Sequence, residues 1–81
     1  MVYNVTTAPT FANWGDGLTI VLRANAAGTG NDEVSLNSSL AYPIYKYSSS
    51  AINVPTAVGD ILAGGLYLLI WDAVQVAWIL T

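Results

Sequence analysis

The chain of 81 residues contains no cysteine and no histidine. The absence of cysteine excludes disulfide bonds and thiolate metal sites. The absence of histidine removes the commonest metal ligand and the commonest general base. A domain of this length has a small core, which disulfides, metals or association with other chains usually supplement. The composition therefore favours association with other chains, and we expect no catalytic residue, no metal ligand, no cofactor and no enzymatic activity.

Charge is also scarce in this sequence. Only 9% of the residues are charged, 54% are hydrophobic and the net charge is −3, whereas a typical domain has about 25% charged residues. Arg23 and Lys46 are the only cations, too few to meet phosphates, so we expect no nucleic-acid partner and no docking on a membrane. A chain so poor in charge is expected to bury part of its surface against other chains.

The longest apolar run is LAGGLYLLIWDAVQVAWIL, at residues 62–80. Its length approaches the ~20 apolar residues that a membrane-spanning helix needs. Three features argue against that interpretation. Asp72 would lie deep in the bilayer, Gly64 and Gly65 are poor helix residues in water, and no Lys or Arg flanks the run. A membrane span and a buried helix stay open as alternatives to a β-hairpin.

A hairpin accounts for the same residues better. Residues 65–71 and 76–80 are rich in aromatic and branched side chains, and a polar break at 72–75 separates them. Two short strands with a short connection have the usual dimensions of a hairpin. Because both strands are apolar throughout, we expect burial on both faces, against the core and against a partner.

Other short apolar or alternating stretches are bounded by turn-forming residues, as β-strands are. The predicted strands are residues 2–6, 18–24, 33–37, 42–47 and 52–55, with a break at 8–10 and a turn at 13–17. No stretch has helical periodicity with caps. We therefore predict an all-β fold, a small antiparallel β-sandwich or barrel-like module of about seven short strands, in a single domain over residues 1–81. The opening segment, residues 1–7, is predicted to be an edge strand that offers a docking point.

The order and spacing of these elements resemble a small β-module of tail-fibre and related virion proteins of tailed bacteriophages. The stretches that carry the resemblance are Gly17 with LTIVLRAN (18–25), AGTGNDEVSLNSSLAYPIYK (27–46) and GDILAGGLYLLIWDAVQVAWIL (59–80). Its most specific part is residues 60–64 with Tyr67, Trp71, Asp72 and Trp78.

Two turns depart from the family pattern. Residues 37–40 read Asn-Ser-Ser-Leu where the family has Asn-Gly-Leu-Gly. Residues 72–75 lack the glycine that a tight type I′ hairpin favours. We therefore expect both turns to differ in shape from those of the family.

The resemblance implies a place in the virion, on the capsid exterior or in the tail or its fibres. We expect a capsid decoration or cement protein that binds the outer shell as an oligomer, with a trimer favoured, and stabilises it. Its partners would be further copies and the major capsid protein or other virion proteins. The alternative is a tail-fibre or receptor-binding component, an adhesin that contacts host surface glycans. A small enzyme or regulatory module is the third hypothesis, and the missing histidine argues against it.

Candidate interface residues are apolar side chains in predicted strands, which a trimer or a capsid contact would bury. They are Val2, Tyr3, Val5, Tyr45, Tyr47, Leu66, Leu68 and Ile70. Candidate exposed loop residues, which an adhesin would present outward, are Trp14, Asn31 and Ser49. Strand alternation puts Tyr45 and Tyr47 on one face of their strand, and Tyr42 and Ile44 on the other.

The other conspicuous side chains have structural interpretations. Asp32 and Glu33 supply too few ligands for Ca²⁺, which predicts a solvated loop. Trp71 and Trp78 are predicted core residues. Three aspartates are expected to accept backbone hydrogen bonds in turns; they are Asp16, Asp60 and Asp72.

Overall fold

The computed structural model of the chain describes residues 1–7 and 14–81, and these residues contain no helix. The strands are β1 (Val2–Val5), β2 (Thr19–Arg23), β3 (Glu33–Leu36), β4 (Tyr42–Lys46), β5 (Val54–Pro55), β6 (Leu66–Asp72) and β7 (Ala77–Leu80). The prediction of an all-β module of short strands is confirmed. The predicted break at 8–10 and the first residue of the predicted turn at 13–17 lie outside the described residues.

The strands form one sheet that curls into a nearly closed barrel. Neighbours follow the order β1-β3-β4-β7-β6-β2, and β5 pairs with β4 beside this path. The pairs β1–β3 and β4–β7 are parallel, whereas the sequence predicts antiparallel neighbours. Hydrophobic alternation shows which face of a strand is buried, but it does not show which strand lies beside it. Here β1 and β2 follow each other along the chain and lie at opposite ends of the sheet.

The interior of the barrel is filled by inward-facing side chains of the longer strands, together with Ala24 and Ile61 from the segments between strands. Its fully packed members are Tyr3, Ile20, Leu22, Ala24, Val34, Leu36, Ile44, Ile61, Leu69, Trp71 and Trp78. Trp71 and Trp78 are 8% and 0% exposed, and their rings meet edge to face with 5.1 Å between centroids. Such aromatic pairs add ~0.5–1.5 kcal/mol to the effect of burial. Both tryptophans are core residues, as predicted.

β6 and β7 form the predicted hairpin, in which Asp72 pairs with Ala77 beside the turn. Asp72 Oδ1 accepts the backbone N–H groups of Val74 and Gln75 at 2.9 and 3.0 Å. This aspartate therefore builds the turn, as the sequence predicted. Among the described residues, no helix is long and apolar enough to cross a membrane. The hairpin interpretation of the apolar run is confirmed.

The hairpin turn contains a strained residue. Val76 has a φ of 53°, in the left-handed region, which costs an L-residue roughly 1–2 kcal/mol and which β-branched residues rarely adopt. Its side chain is 48% exposed, so burial offsets little of this cost. The shape of the turn thus differs from a tight glycine turn, as its missing glycine predicted.

Replacing Val76 by glycine is expected to raise the free energy of unfolding by about 1 kcal/mol, because glycine adopts this φ without steric cost. Urea denaturation followed by tryptophan fluorescence measures the change. The matched control is Val74→Gly in the same turn, where φ is not positive. That substitution only raises the conformational entropy of the unfolded chain, so it should lower the free energy of unfolding. Equal losses in both variants would contradict the assignment of strain to Val76.

Candidate interaction surface

β6 presents a row of aliphatic side chains to the outside of the barrel. Leu69 and Trp71 point into the core, and the residues between and before them point outward. Leu66 is 58% exposed, Leu68 is 44% exposed and Ile70 is partly exposed. A face that is simply solvated normally carries polar residues at these positions. Packing within the chain therefore does not explain why the outward residues of β6 are apolar.

Neighbouring strands extend this row on both sides. Val21 of β2, 57% exposed, lies opposite Leu68. On the other side, Ile79 of β7 lies between Ile70 of β6 and Tyr45 of β4 and is itself only 4% exposed. Tyr47 follows two residues after Tyr45 and lies beside Ile79. We call this surface the outer apolar face. Its members are Val21, Tyr45, Tyr47, Leu66, Leu68, Ile70 and Ile79.

Charged side chains lie at the ends of the outer apolar face, and the polar residues Thr19 and Thr81 lie beside Ile70 and Leu68 within it. Arg23 stands opposite Leu66 at one end. At the other end, Asp16 and Asp72 line a cleft of about 280 Å³ together with Tyr47. An apolar centre with a polar rim is the usual anatomy of a protein interface. Contiguous exposed apolar patches on small proteins mark interaction sites.

The outer apolar face brings together most of the predicted interface residues, namely Tyr45, Tyr47, Leu66, Leu68 and Ile70. Sequence reasoning missed Val21 and Ile79. The alternation in TIVLR gives the signal for Val21, because Thr19, Val21 and Arg23 share one face of β2. No such signal exists for Ile79, because every residue of AWIL is apolar.

The predicted interface residues of β1 do not belong to this face. Val2 is 44% exposed, but among the described strands β1 pairs only with β3, which contributes no residue to this face. Tyr3 is only 2% exposed, and its hydroxyl donates to the Ala26 carbonyl at 2.8 Å. Burial raises the pKa of this hydroxyl. Val5 is partly buried and packs against the core. The pleat turns Tyr3 and Val5 inward, which corrects the expectation that both face a partner.

The three predicted loop residues differ in their surroundings. Asn31 and Ser49 are exposed, as predicted. Trp14 is partly buried and packs against the core, with its ring 5.6 Å from that of Trp71 and 5.9 Å from that of Trp78 between centroids. This corrects the expectation that Trp14 is an exposed anchor. The contact joins a loop near one end of the chain to the hairpin at the other, which local sequence does not reveal.

Asp32 is buried, and the prediction of a solvated loop is wrong for this residue. Its side chain is 0% exposed. The carboxylate accepts the backbone N–H of Thr29 at 3.0 Å and the Thr56 hydroxyl at 2.8 Å. A Cβ on Gly28 would lie 2.5 Å from Asp32 Oδ2, so only glycine allows this close approach. The carboxylate thereby fastens the loop before β3 to the segment after β5.

Asp60 has the turn role that the sequence predicted. Its carboxylate accepts the backbone N–H of Ala57 at 2.7 Å and pairs with the Lys46 ammonium at 2.6 Å. The hydrogen bond from Ala57, together with Lys46, lowers the pKa of Asp60. The contact ties the loop before β6 to β4.

This contact predicts a dependence of stability on pH. A carboxylate whose pKa is lower in the folded than in the unfolded chain stabilises the fold above its unfolded pKa, near ~4, and loses this effect as the pH falls through the folded pKa. The Asp60→Asn variant should therefore melt below the unchanged protein at neutral pH and together with it at about pH 2. Thermal unfolding scans between these limits measure the difference. A difference of constant size across the range would contradict the role of the charge.

No group of three or more acidic residues in the described part of the chain could hold a metal ion. Comparison of the chain with protein-family models, with curated proteins and with solved structures found no match.

Proposed function

We propose that this chain is a structural protein of a bacteriophage virion, a decoration or cement protein that binds the outside of the capsid as a trimer and stabilises the shell. The outer apolar face is the observation that carries the proposal. Its members Val21, Tyr47, Leu66 and Leu68 are between 44% and 59% exposed in the single chain. The resemblance of the sequence to a β-module of virion proteins supports the location in the virion.

The physical mechanism is passive. Burying apolar surface contributes about 25 cal/mol for each Å², and association costs on the order of 4–15 kcal/mol in lost freedom of motion. A threefold ring lets each copy bury this face against its neighbour. Many rings bound to one shell then add their contacts, and the shell resists internal pressure better. This mechanism requires no cofactor and no catalytic group.

The proposal is tested with virions that carry the chain and virions that lack it. On heating, virions without the chain should release their DNA at a lower temperature. Added purified protein should restore the higher release temperature, and the Leu68→Lys variant should not. Equal release temperatures with and without the chain would contradict a stabilising role.

An adhesin in the tail or its fibres is the second candidate function. The cleft at one end of the outer apolar face favours it, because the exposed ring of Tyr47 lies there beside the carboxylates of Asp16 and Asp72. Aromatic rings and carboxylates suit the apolar faces and hydroxyl groups of sugars. Asn31 and Ser49 are exposed in loops as well. Glycan-array binding that is lost in Tyr47→Ala would favour this function over the shell.

A further inference from the structure

The barrel is open along one line, between β1 and β2. These strands are the two ends of the sheet order, and neither has a second neighbour among the described strands. The Tyr3 hydroxyl of β1 donates a hydrogen bond at 2.8 Å to the carbonyl of Ala26, which follows β2 on the other side of the opening. We call this opening, with β1 on one side and β2 on the other, the seam.

The side of the seam formed by β1 has unpaired backbone groups. The carbonyls of Met1 and Val5 accept N–H groups from Glu33 and Asn37, at the two ends of the β1–β3 pair. In a parallel pair, alternate residues turn their N–H and C=O groups toward the same neighbour. Odd-numbered residues of β1 therefore face β3, and Val2 and Asn4 turn their backbone groups toward the seam.

The side formed by β2 has the same property. Leu18 and Ala24 bond to the backbone of Trp71 and Gly65, which flank the β2–β6 pair. Even-numbered residues of β2 therefore face β6, and the odd-numbered residues turn their backbone groups away from it. Val21 and Arg23 present these groups to the seam. Both sides thus offer donors and acceptors at the spacing of a β-ladder.

The seam has room between its sides, and among the described residues its edges are protected only by the charge of Arg23 and the shortness of β1. A cleft of about 530 Å³ lies there, lined by the first residues of the chain through Asn4 and by Leu22, Arg23, Asn25 and Ala26. Proteins usually protect open strand edges with proline, lysine or bulges. β4 and β5 contain Pro43 and Pro55, whereas β1 and β2 contain neither proline nor lysine.

We propose that the seam takes up one extended segment of a partner polypeptide, which pairs with β1 on one side and with β2 on the other. This mode of binding is β-strand addition, in which main-chain hydrogen bonds supply affinity. The inference deepens the proposed function and rests on it for the setting: the segment belongs to another virion protein, and its insertion fastens the chain to the shell.

No described strand of a second folded copy fits the seam. An occupant between two sides must have both of its own edges free. In the described part of the chain, every strand of four or more residues is paired along at least one edge. A flexible or terminal segment of a different protein meets this condition. The segment should alternate, with apolar residues turned inward beside Tyr3 and Leu22, and polar residues turned outward.

Charge specifies the occupant further. Arg23 donates one hydrogen bond to the Gly64 carbonyl at 2.9 Å. No carboxylate among the described residues forms a salt bridge with it. A segment with Asp or Glu at an outward position beside Arg23 would give its guanidinium group a carboxylate partner, because Arg pairs well with carboxylates. The occupant is therefore an alternating segment with an acidic residue.

The first experiment follows amide hydrogen exchange by NMR in the free protein and with a synthetic peptide. The peptide alternates valine and threonine around one central glutamate, and a second peptide has lysine in its place. In the free protein, the amides of Val2, Asn4, Val21 and Arg23 should exchange quickly and those of Ile20 and Leu22 slowly. The glutamate peptide should bind saturably and slow exchange at the four seam amides.

Two substitutions locate the binding. Asn4→Pro removes the backbone N–H that residue 4 turns toward the seam, and it breaks no hydrogen bond to β3. Residue 4 also lies outside the outer apolar face. The affinity for the peptide should therefore fall about tenfold, as for the loss of one hydrogen bond. The matched control Asn4→Ala keeps the donor and should bind as the unchanged protein does. Arg23→Glu should reverse the preference in favour of the lysine peptide.

Three results would overturn the proposal. The first is slow exchange at the seam amides of the free protein, especially if it grows with protein concentration, because another copy would then occupy the seam. The second is absence of saturable binding by either peptide at millimolar concentration. The third is equal affinity in Asn4→Pro and Asn4→Ala. None of these results bears on the presence of the chain in virions, so failure here is distinguishable from failure of the proposed function.

Discussion

The Leu68→Lys variant is expected to be a monomer at concentrations where the unchanged protein forms the proposed trimer. Leu68 lies within the outer apolar face, opposite Val21 and 44% exposed. A lysine there would have to lose its hydrating water on burial between the copies. A central interface residue of this kind carries about 2 kcal/mol or more, which is roughly thirtyfold in each contact. Light scattering coupled to size-exclusion chromatography measures the change in mass.

The matched control is Val74→Lys. Val74 is 86% exposed in the hairpin turn, outside the outer apolar face. This variant adds the same charge and should remain a trimer, and both variants should keep the far-ultraviolet circular dichroism of the unchanged protein. A trimer that survives Leu68→Lys would show that the outer apolar face is not where the copies meet. If the unchanged protein is itself a monomer, the proposed trimer is contradicted.

The Asp32→Ala variant is expected to lose about 3 kcal/mol of stability, since truncation of a buried, hydrogen-bonded carboxylate leaves its partners unsatisfied. The change would leave the Thr29 N–H and the Thr56 hydroxyl without their acceptor. Small domains have only about 5–15 kcal/mol of stability in total. The loss should therefore appear as a large fall in the urea midpoint at unchanged slope.

Glu33→Ala is the control for this prediction. Glu33 follows Asp32 directly and is partly exposed, and the described residues include no salt bridge to it. Its truncation should change stability by less than about 0.5 kcal/mol, as surface substitutions usually do. Equal effects of the two substitutions would mean that the Asp32 carboxylate does not hold its loop.

Local pattern predicted the elements of this fold well. The apolar runs on either side of Asp72 form the hairpin, and the alternation in β4 buries Ile44 and leaves Tyr45 and Tyr47 outward. These features depend on side chains within a few residues of each other. The period of the side chains along a strand therefore predicts which of its residues are buried.

Features that depend on distant residues escaped sequence reasoning. Asp32 can be buried because the hydroxyl of Thr56 donates a hydrogen bond to its carboxylate. Trp14 is turned inward because its ring packs against the tryptophan rings of the hairpin. The order of the strands is of the same kind, since β1 pairs with β3 and not with β2. The outer apolar face was predicted only in part, because its membership follows from the register of β2, β6 and β7.

The most direct test of the central claim is the number of copies of this chain in purified virions, counted by quantitative mass spectrometry against the major capsid protein. A decoration protein bound at every equivalent position of the shell should appear at a simple ratio to the capsid protein. A handful of copies per particle would contradict a place on the shell and would favour the adhesin in the tail. Absence of the chain from virions would contradict both.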